Sequence, residues 1–230
     1  ANVGLVLGLS SLVFPLTMKF AQVKIDLVIY IIVCLLFTYF CADGEIIRLE
    51  GLILFSCIIA YTWFAITHPA KKKDTEIGQI NPNVPLSKSL LLIMFGILSL
   101  SFGANIFITG AIDIARYFGI SEIVIGMTIV ALGTSLPELA TSVIASFRKE
   151  SAISIGNIIG SNLFNLLSVI GLVSMISPLE SPVEIIHFEI PYMIVYGLIL
   201  IPIGLMPQPI HRGTALLLLL GYGVFISQMF

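Results

Sequence analysis

The apolar positions of this chain run in long unbroken stretches rather than in the alternating or striped patterns of soluble strands and helices. A membrane-crossing helix needs about 20 largely apolar residues. Eight stretches approach that length: residues 2 to 17, 25 to 42, 46 to 67, 89 to 112, 122 to 147, 152 to 176, 188 to 206 and 213 to 229. None shows the roughly ten-residue alternation of a lipid-facing barrel strand. The pattern predicts an all-α integral membrane protein, a polytopic helical bundle of about eight transmembrane segments. The one long hydrophilic interruption, with Lys71, Lys72, Lys73 and three prolines, reads as a linker over 69–88.

Composition agrees with that pattern. The chain is 58% hydrophobic and 10% charged, with a mean hydropathy of +1.09, against about 25% charged in soluble domains. A net charge of −2 offers no basic field for nucleic acid, and no protein partner can be inferred. The distribution of charge is more telling. Connections after the first, third, fifth and seventh stretches hold nine Lys and Arg; those after the second, fourth and sixth hold only Arg48 and Arg116. By the positive-inside rule the 69–88 loop is cytoplasmic and the C-terminus extracellular or periplasmic, in a plasma (inner) membrane. Cys34, Cys41 and Cys57 lie in apolar stretches without metal-ligand spacing and read as small buried hydrophobes. The chain opens at Ala1 without a methionine, as if inside a helix, and is expected to be a fragment or a processed chain.

An internal repeat flanks the linker. Sliding the chain by 163 residues lays Asn2, Gly8, Leu9, Ser11, Pro15 and Leu16 onto Asn165, Gly171, Leu172, Ser174, Pro178 and Leu179, and pairs Asp26 with Glu189. This divides the chain into 1–68 (three helices, the remainder of a first repeat), the linker, and 89–230 (a second repeat of five helices). An odd number of crossings separates the copies, so they face opposite ways. Inverted repeats with broken polar helices at midplane are a transporter architecture.

The chemistry sits at 126–165. Glu138 falls about three residues, or roughly 4.5 Å, from the middle of its stretch, where a charged side chain is expensive and functional by default. The alternative is a carboxyl held neutral or paired, yet no Lys, Arg or His lies within a helix core. Pro137 lacks the N–H that would bond Gly133 and disfavours helical dihedrals at Leu136, so the helix should break over 133–137. Carbonyls freed around Ala131 to Thr134 must then line a cavity or bind an ion. Thr128, Ala131, Ser135, Glu138 and Ser142 share one helical face, and Asn157, Ser161, Asn165 and Ser168 repeat the pattern in the next helix. Gly156 and Gly160 form a small-residue pair suited to close helix approach. Carboxylate, hydroxyl and carbonyl oxygens are hard ligands for Na⁺, Ca²⁺ or Mg²⁺.

The motif Gly126-Met-Thr-Ile-Val-Ala-Leu-Gly-Thr-Ser-Leu-Pro-Glu138, followed by Gly156-Asn-Ile-Ile-Gly-Ser-Asn-Leu-Phe-Asn165, closely resembles the second alpha-repeat of the sodium/calcium exchangers. The resemblance covers nearly the whole chain, which is similar to helices three to ten of a ten-helix inverted-repeat exchanger. It implies electrogenic exchange of Na⁺ for Ca²⁺ by alternating access: a membrane antiporter, not an enzyme, with no cofactor and with the ions as substrates. It also implies ligand roles for Glu138 and Ser135 through side chains, Ala131 and Thr134 through backbone oxygens, Ser161 and Asn165 from the next helix, and Asn2 from the first repeat. The long helix from residue 89 would be one of those that slide to switch access. Two departures stand out. The Thr-Ser-x-Pro-Glu sequence of a first repeat, with its second carboxylate, is absent. Position 165 carries an amide where some members have an acid.

Other readings are an exchanger for another cation pair (H⁺/Ca²⁺ or K⁺-coupled), a non-transporting fragment, and an intramembrane hydrolase. The last needs a base beside Ser135 or Ser161, and none lies at helix depth. Asp26 and Glu189, near their helix starts, are expected to be interfacial caps, with an ion vestibule as the second reading. Tyr61 and Trp63 read as belt aromatics.

Overall fold

The computed structural model describes residues 1–68, 85–120, 122–183, 185–206 and 209–228. Each of the eight apolar stretches is helical. They form α1 (Asn2–Val13), α2 (Phe20–Cys41), α3 (Arg48–Thr67), α4 (Leu86–Tyr117), the broken pair α5 (122–134) and α6 (Leu136–Phe147), α7 (Ser151–Ile176), α8 (Ile185–Leu205) and α9 (Arg212–Ser227). Five of these, α2, α3, α4, α7 and α8, are long and apolar enough to cross a bilayer, and the broken pair raises that to six. Helix α1 ends at Val13 because Phe14 turns extended (φ −143°, ψ 124°) ahead of Pro15, as expected for the residue before a proline. Most of the expected linker falls at 69–84, outside the described residues; its last part does not, because Pro85 precedes a helix that already takes in Ser87 and Lys88.

Positions 163 apart adopt matching local geometry. Ser177, which ends α7, has φ −139° and ψ 124°, nearly the values at Phe14. Asn2 and Asn165 each open a stretch of wide π-type turn, Asn2–Leu7 and Asn165–Val169, a deviation frequent at functional sites. The extended residues after these helices are clasped across the molecule. Strand β1 (Glu45–Ile46) pairs antiparallel with β2 (Leu179–Glu180), Ile46 opposite Leu179. At the corresponding place Ile210 N–H donates to Leu16 O at 2.8 Å. These two-residue strands are the only ones among the described residues. They give the chain's irregular backbone partners that a bilayer would not supply.

The core lies between α1, α2, α7 and α8, where Val6, Leu7, Leu27, Cys34, Ile158, Leu163, Leu167 and Leu200 are buried. Cys34 and Cys41 are buried free thiols. Helices α3 and α7 touch backbone to backbone: a Cβ on Gly51 would sit 2.8 Å from Gly171 O, and one on Gly171 would sit 2.9 Å from Phe55 N. Backbone cannot step aside as a side chain can, so Gly51→Leu is expected to destabilise by about 1–3 kcal/mol. A lowered unfolding midpoint in detergent would show it; an unchanged midpoint would mean the helices are not apposed here.

Helix α4 is different. Its 32 residues make about 48 Å of helix, longer than the roughly 30 Å of a bilayer's hydrocarbon core. Only one stripe is covered, Ser89, Gly96, Ala104, Ile108, Ala111, Ile112 and Ala115. The remaining apolar residues, among them Leu91, Phe95, Leu98 and Phe102, are exposed. Lipid is the solvent that suits them.

Two sequence expectations change at the helix ends. Asp26 lies inside α2 and caps nothing; it accepts a hydrogen bond from the Tyr61 hydroxyl at 3.0 Å. Tyr61 is therefore a partner of α2 rather than a belt residue, whereas Trp63 is exposed as a belt aromatic would be. Glu189 likewise makes no capping bond. The acid that does serve a helix start is Glu50, whose carboxylate accepts the Ile47 N–H at 2.9 Å.

Candidate cation site

The break between α5 and α6 falls at Ser135, with φ −89° and ψ 0°, and the two parts meet at 46°. Pro137 forces the break, but the distortion is taken up two residues earlier. Leu136 already begins α6, and Ser135 N–H turns back to Leu132 O at 3.0 Å. Gly133 lies directly against α4, since a Cβ there would overlap the side chain of Ile108. The break is thus held between proline chemistry on one side and α4 on the other.

A three-residue turn joins α6 to α7. Lys149 takes φ 62°, and Glu150 N–H bonds back to Ala145 O at 2.9 Å. This hairpin brings α7 back alongside α6. Asn157 Nδ2 then donates to Glu138 O at 3.1 Å and to Ser142 Oγ at 3.0 Å. Ser142 is fully buried and Ser146 Oγ donates to its carbonyl. Amide and hydroxyl of the two predicted polar faces therefore meet as expected.

Glu138 is half-buried in the first turn of α6, where the free N–H groups of a helix start favour negative charge. Its Oε2 is buried without a hydrogen-bond partner among the described residues. It lines a cavity of about 210 Å³ with Ser101, Pro137, Thr141, Asn157 and the α4 residues Ile97 and Leu100. Buried polar atoms almost always find partners, and a carboxylate oxygen left without one in a cavity is suited to receive a cation. No cluster of three or more His, Cys, Asp or Glu exists among the described residues, so any ion here would depend on neutral oxygens beside one carboxylate.

Ser135 is half-buried beside Glu138 at the break, and Thr134 is exposed at the end of α5. Ala131 starts the last turn before the break. Ser161 is half-buried on α7, one turn beyond Asn157, and Asn165 is exposed. Asn2 is not at the Glu138 cavity: it is 5% exposed and donates through Nδ2 to Asn162 Oδ1 at 3.1 Å, lining a different cavity. Thr128 spends its hydroxyl on Val124 O. The pair Gly156 and Gly160 brings no neighbour close, since a Cβ at either would meet nothing within 4 Å; that face of α7 is left open by the described helices.

Ser101 and Thr141 belong to the cavity and were not singled out in the sequence. Thr141 follows Glu138 by three residues on the same face and could have been found by spacing. Its hydroxyl donates to Pro137 O at 2.8 Å. Ser101 is one hydroxyl on an apolar helix, and only the tertiary placement of α4 gives it meaning.

Known proteins resemble this chain in sequence and in fold. A family model described as sodium/calcium exchanger protein matches residues 88–230. The putative antiporter CaxA of Alkalimonas amylolytica is 35% identical over 184 residues, 77% of this chain and 57% of its own length. The inner membrane protein YrbG of Escherichia coli (strain K12) is 28% identical over 242 residues, 100% of this chain and 73% of its own. A solved structure of the sodium-calcium exchanger NCX_Mj superposes with a TM-score of 0.80 at 28% identity, covering 98% of this chain and 72% of that one. The chain spans a little more than half the length of CaxA and nearly three quarters of NCX_Mj. With the family match extending over the bent helix, its carboxylate and the hairpin that follows, the chain belongs to the sodium/calcium exchanger protein family.

Proposed function

We propose that this chain carries the second-repeat half of the ion path of a secondary active transporter that exchanges Na⁺ for Ca²⁺ by alternating access. The observation that supports the reading most is the unpartnered Oε2 of Glu138. Glu138 lines a cavity with Ser101, Thr141 and Asn157 at a proline break within membrane-thickness sequence. Ca²⁺ takes six to eight oxygens in flexible geometry, and a broken helix provides carbonyls as well as side chains. The proposed ligand set is Glu138, Ser135, Ser161 and Asn165 with backbone oxygens of Ala131 and Thr134, to which Thr141 is added by its place in the cavity. Asn2, which the resemblance also implies as a ligand, lies outside the Glu138 cavity and is left out of this set. The repeat division at the 69–88 linker and the orientation that puts this linker in the cytoplasm belong to the same proposal.

Alternating access needs an element that can shift without breaking a core. Helix α4 suits it, with one narrow, small-residue stripe of contact and lipid-facing apolar residues elsewhere. The activity is tested by Na⁺-gradient-driven ⁴⁵Ca²⁺ uptake into proteoliposomes, using the full-length gene product beside this 230-residue stretch alone. Uptake that collapses with the Na⁺ gradient is the expected result for the full-length product. Uptake driven equally by an H⁺ gradient without Na⁺ would replace Na⁺ by H⁺ in the proposal.

A further inference from the structure

Asn157 reaches the turn that carries Glu138 but not its carboxylate. Its Nδ2 donates to Glu138 O at 3.1 Å and to Ser142 Oγ at 3.0 Å, whereas Glu138 Oε2 has no partner among the described residues. The sense of the amide follows from its partners. A main-chain carbonyl only accepts, so the nitrogen of Asn157 and not its oxygen faces Glu138 O. That nitrogen carries two hydrogens, and these two bonds engage both.

The direction of those bonds matters because Asn157 and Glu138 line the same cavity. Three side chains there can donate. Thr141 gives its proton to Pro137 O at 2.8 Å, Ser101 brings a hydroxyl from α4, and Asn157 brings the only side-chain N–H among the lining residues. Hydrogen bonds to an ionised carboxylate are stronger than those to a neutral hydroxyl, so an uncommitted amide hydrogen in this cavity would turn to Glu138. Ser142 prevents that. It is fully buried and lies one turn along α6 from Glu138, so its Oγ stands beside the carbonyl that the amide already holds. Two acceptors one turn apart draw both hydrogens toward α6. Ser142 is itself backed by Ser146, whose Oγ donates to the Ser142 carbonyl.

We infer that Ser142 is a positioning residue for Glu138: by holding the Asn157 amide against α6 it keeps that N–H donor off the carboxylate and leaves the carboxylate free for a cation. The inference rests on the proposed role of Glu138 as a cation ligand and adds to it a residue that does not line the cavity. Helical spacing alone puts Ser142 on the face of Glu138 as one more oxygen; the fold gives that oxygen to Asn157 instead.

The test is equilibrium ⁴⁵Ca²⁺ binding to the purified full-length gene product in detergent, with the unfolding midpoint of each variant measured beside it. Ser142→Ala removes one acceptor and releases one amide hydrogen to the carboxylate; Ca²⁺ affinity is expected to fall about tenfold, the scale of a hydrogen bond to a charged group. Asn157→Leu removes the amide and its tether to Glu138 O, and a loss of about tenfold is expected there too. The double variant is expected to bind like Asn157→Leu alone, because without the amide Ser142 has nothing to hold, and residues in contact couple in this way. A hydroxyl with a merely structural role would lower the unfolding midpoint and add its loss in both backgrounds. Ser142→Thr, which restores the oxygen, is expected to bind within about threefold of wild type and keeps the test intact if Asn157→Leu does not fold. Affinity within about twofold of wild type in Ser142→Ala, or additive losses in the double variant, would overturn the inference. Glu138→Gln is measured in parallel: unchanged binding there removes the carboxylate itself from the ion path, whereas lost binding there beside unchanged binding in Ser142→Ala overturns the positioning role alone.

Discussion

Glu138→Gln is expected to abolish Ca²⁺ binding and Na⁺-driven Ca²⁺ uptake while leaving the helices inserted. The substitution preserves shape and removes the charge. It takes away the carboxylate that lines the cavity at the helix break and whose Oε2 has no protein partner to lose. Because no native hydrogen bond to that oxygen is broken, stability should hardly fall. An ion, by contrast, loses its only charged ligand among the residues that line the cavity. A loss of at least about 100-fold in ⁴⁵Ca²⁺ affinity is expected, equivalent to about 2.8 kcal/mol. Glu138→Asp, which retains the charge one methylene farther back, should fall between the two. Affinity within twofold of wild type in Glu138→Gln, with unchanged helical content, would rule out this carboxylate as an ion ligand.

The second large effect is expected at Gly133. A Cβ there overlaps the side chain of Ile108, at the point where α4 crosses the end of α5. Gly133→Ala should push α4 away from the break, at the overpacking cost of about 1–3 kcal/mol. It is expected to slow uptake by about tenfold or more with Ca²⁺ affinity little changed, because no ligand is removed. Ile108→Ala alone should be mild, since Ile108 is only partly covered. Combined with Gly133→Ala it should restore uptake to within about threefold of wild type. Residues in contact couple in this way. A double variant as slow as Gly133→Ala alone would show that the glycine serves backbone conformation rather than the crossing of α4.

The contrast between the two substitutions reflects a division of labour in the fold. Helices α1, α2, α7 and α8 enclose the buried core and the clasped extended segments, whereas α4 rests on one stripe of mostly small residues. Rigid packing fixes where Glu138 and Asn157 meet. In the function proposed above, the sparsely covered α4 is the element that moves.

Much of this was legible along the chain. Unbroken apolar runs specify helices because backbone groups in lipid must be satisfied within the segment, and all eight runs are helical. Pro137 announced its own break because a missing N–H is a local fact. The motif carried the family, and Glu138 stood out because ionisable residues at bilayer depth are costly. Spacing along each helix put Ser142 on one polar face and Asn157 on another; that the two meet was decided by the hairpin between them.

Contacts between elements far apart in sequence were decided only by the fold. Helical periodicity places a residue on a face but does not say which neighbour covers it. Asn2 met Asn162 rather than Glu138, Tyr61 reached across to Asp26, and Ser101 entered the cavity, because of how α1, α3 and α4 dock. Gly156 and Gly160 show the converse: their spacing permitted close approach, yet no described helix covers them. Side-chain chemistry and local backbone rules act over a few residues and can be read in order, whereas the partner of a buried polar group is set by packing of the whole bundle.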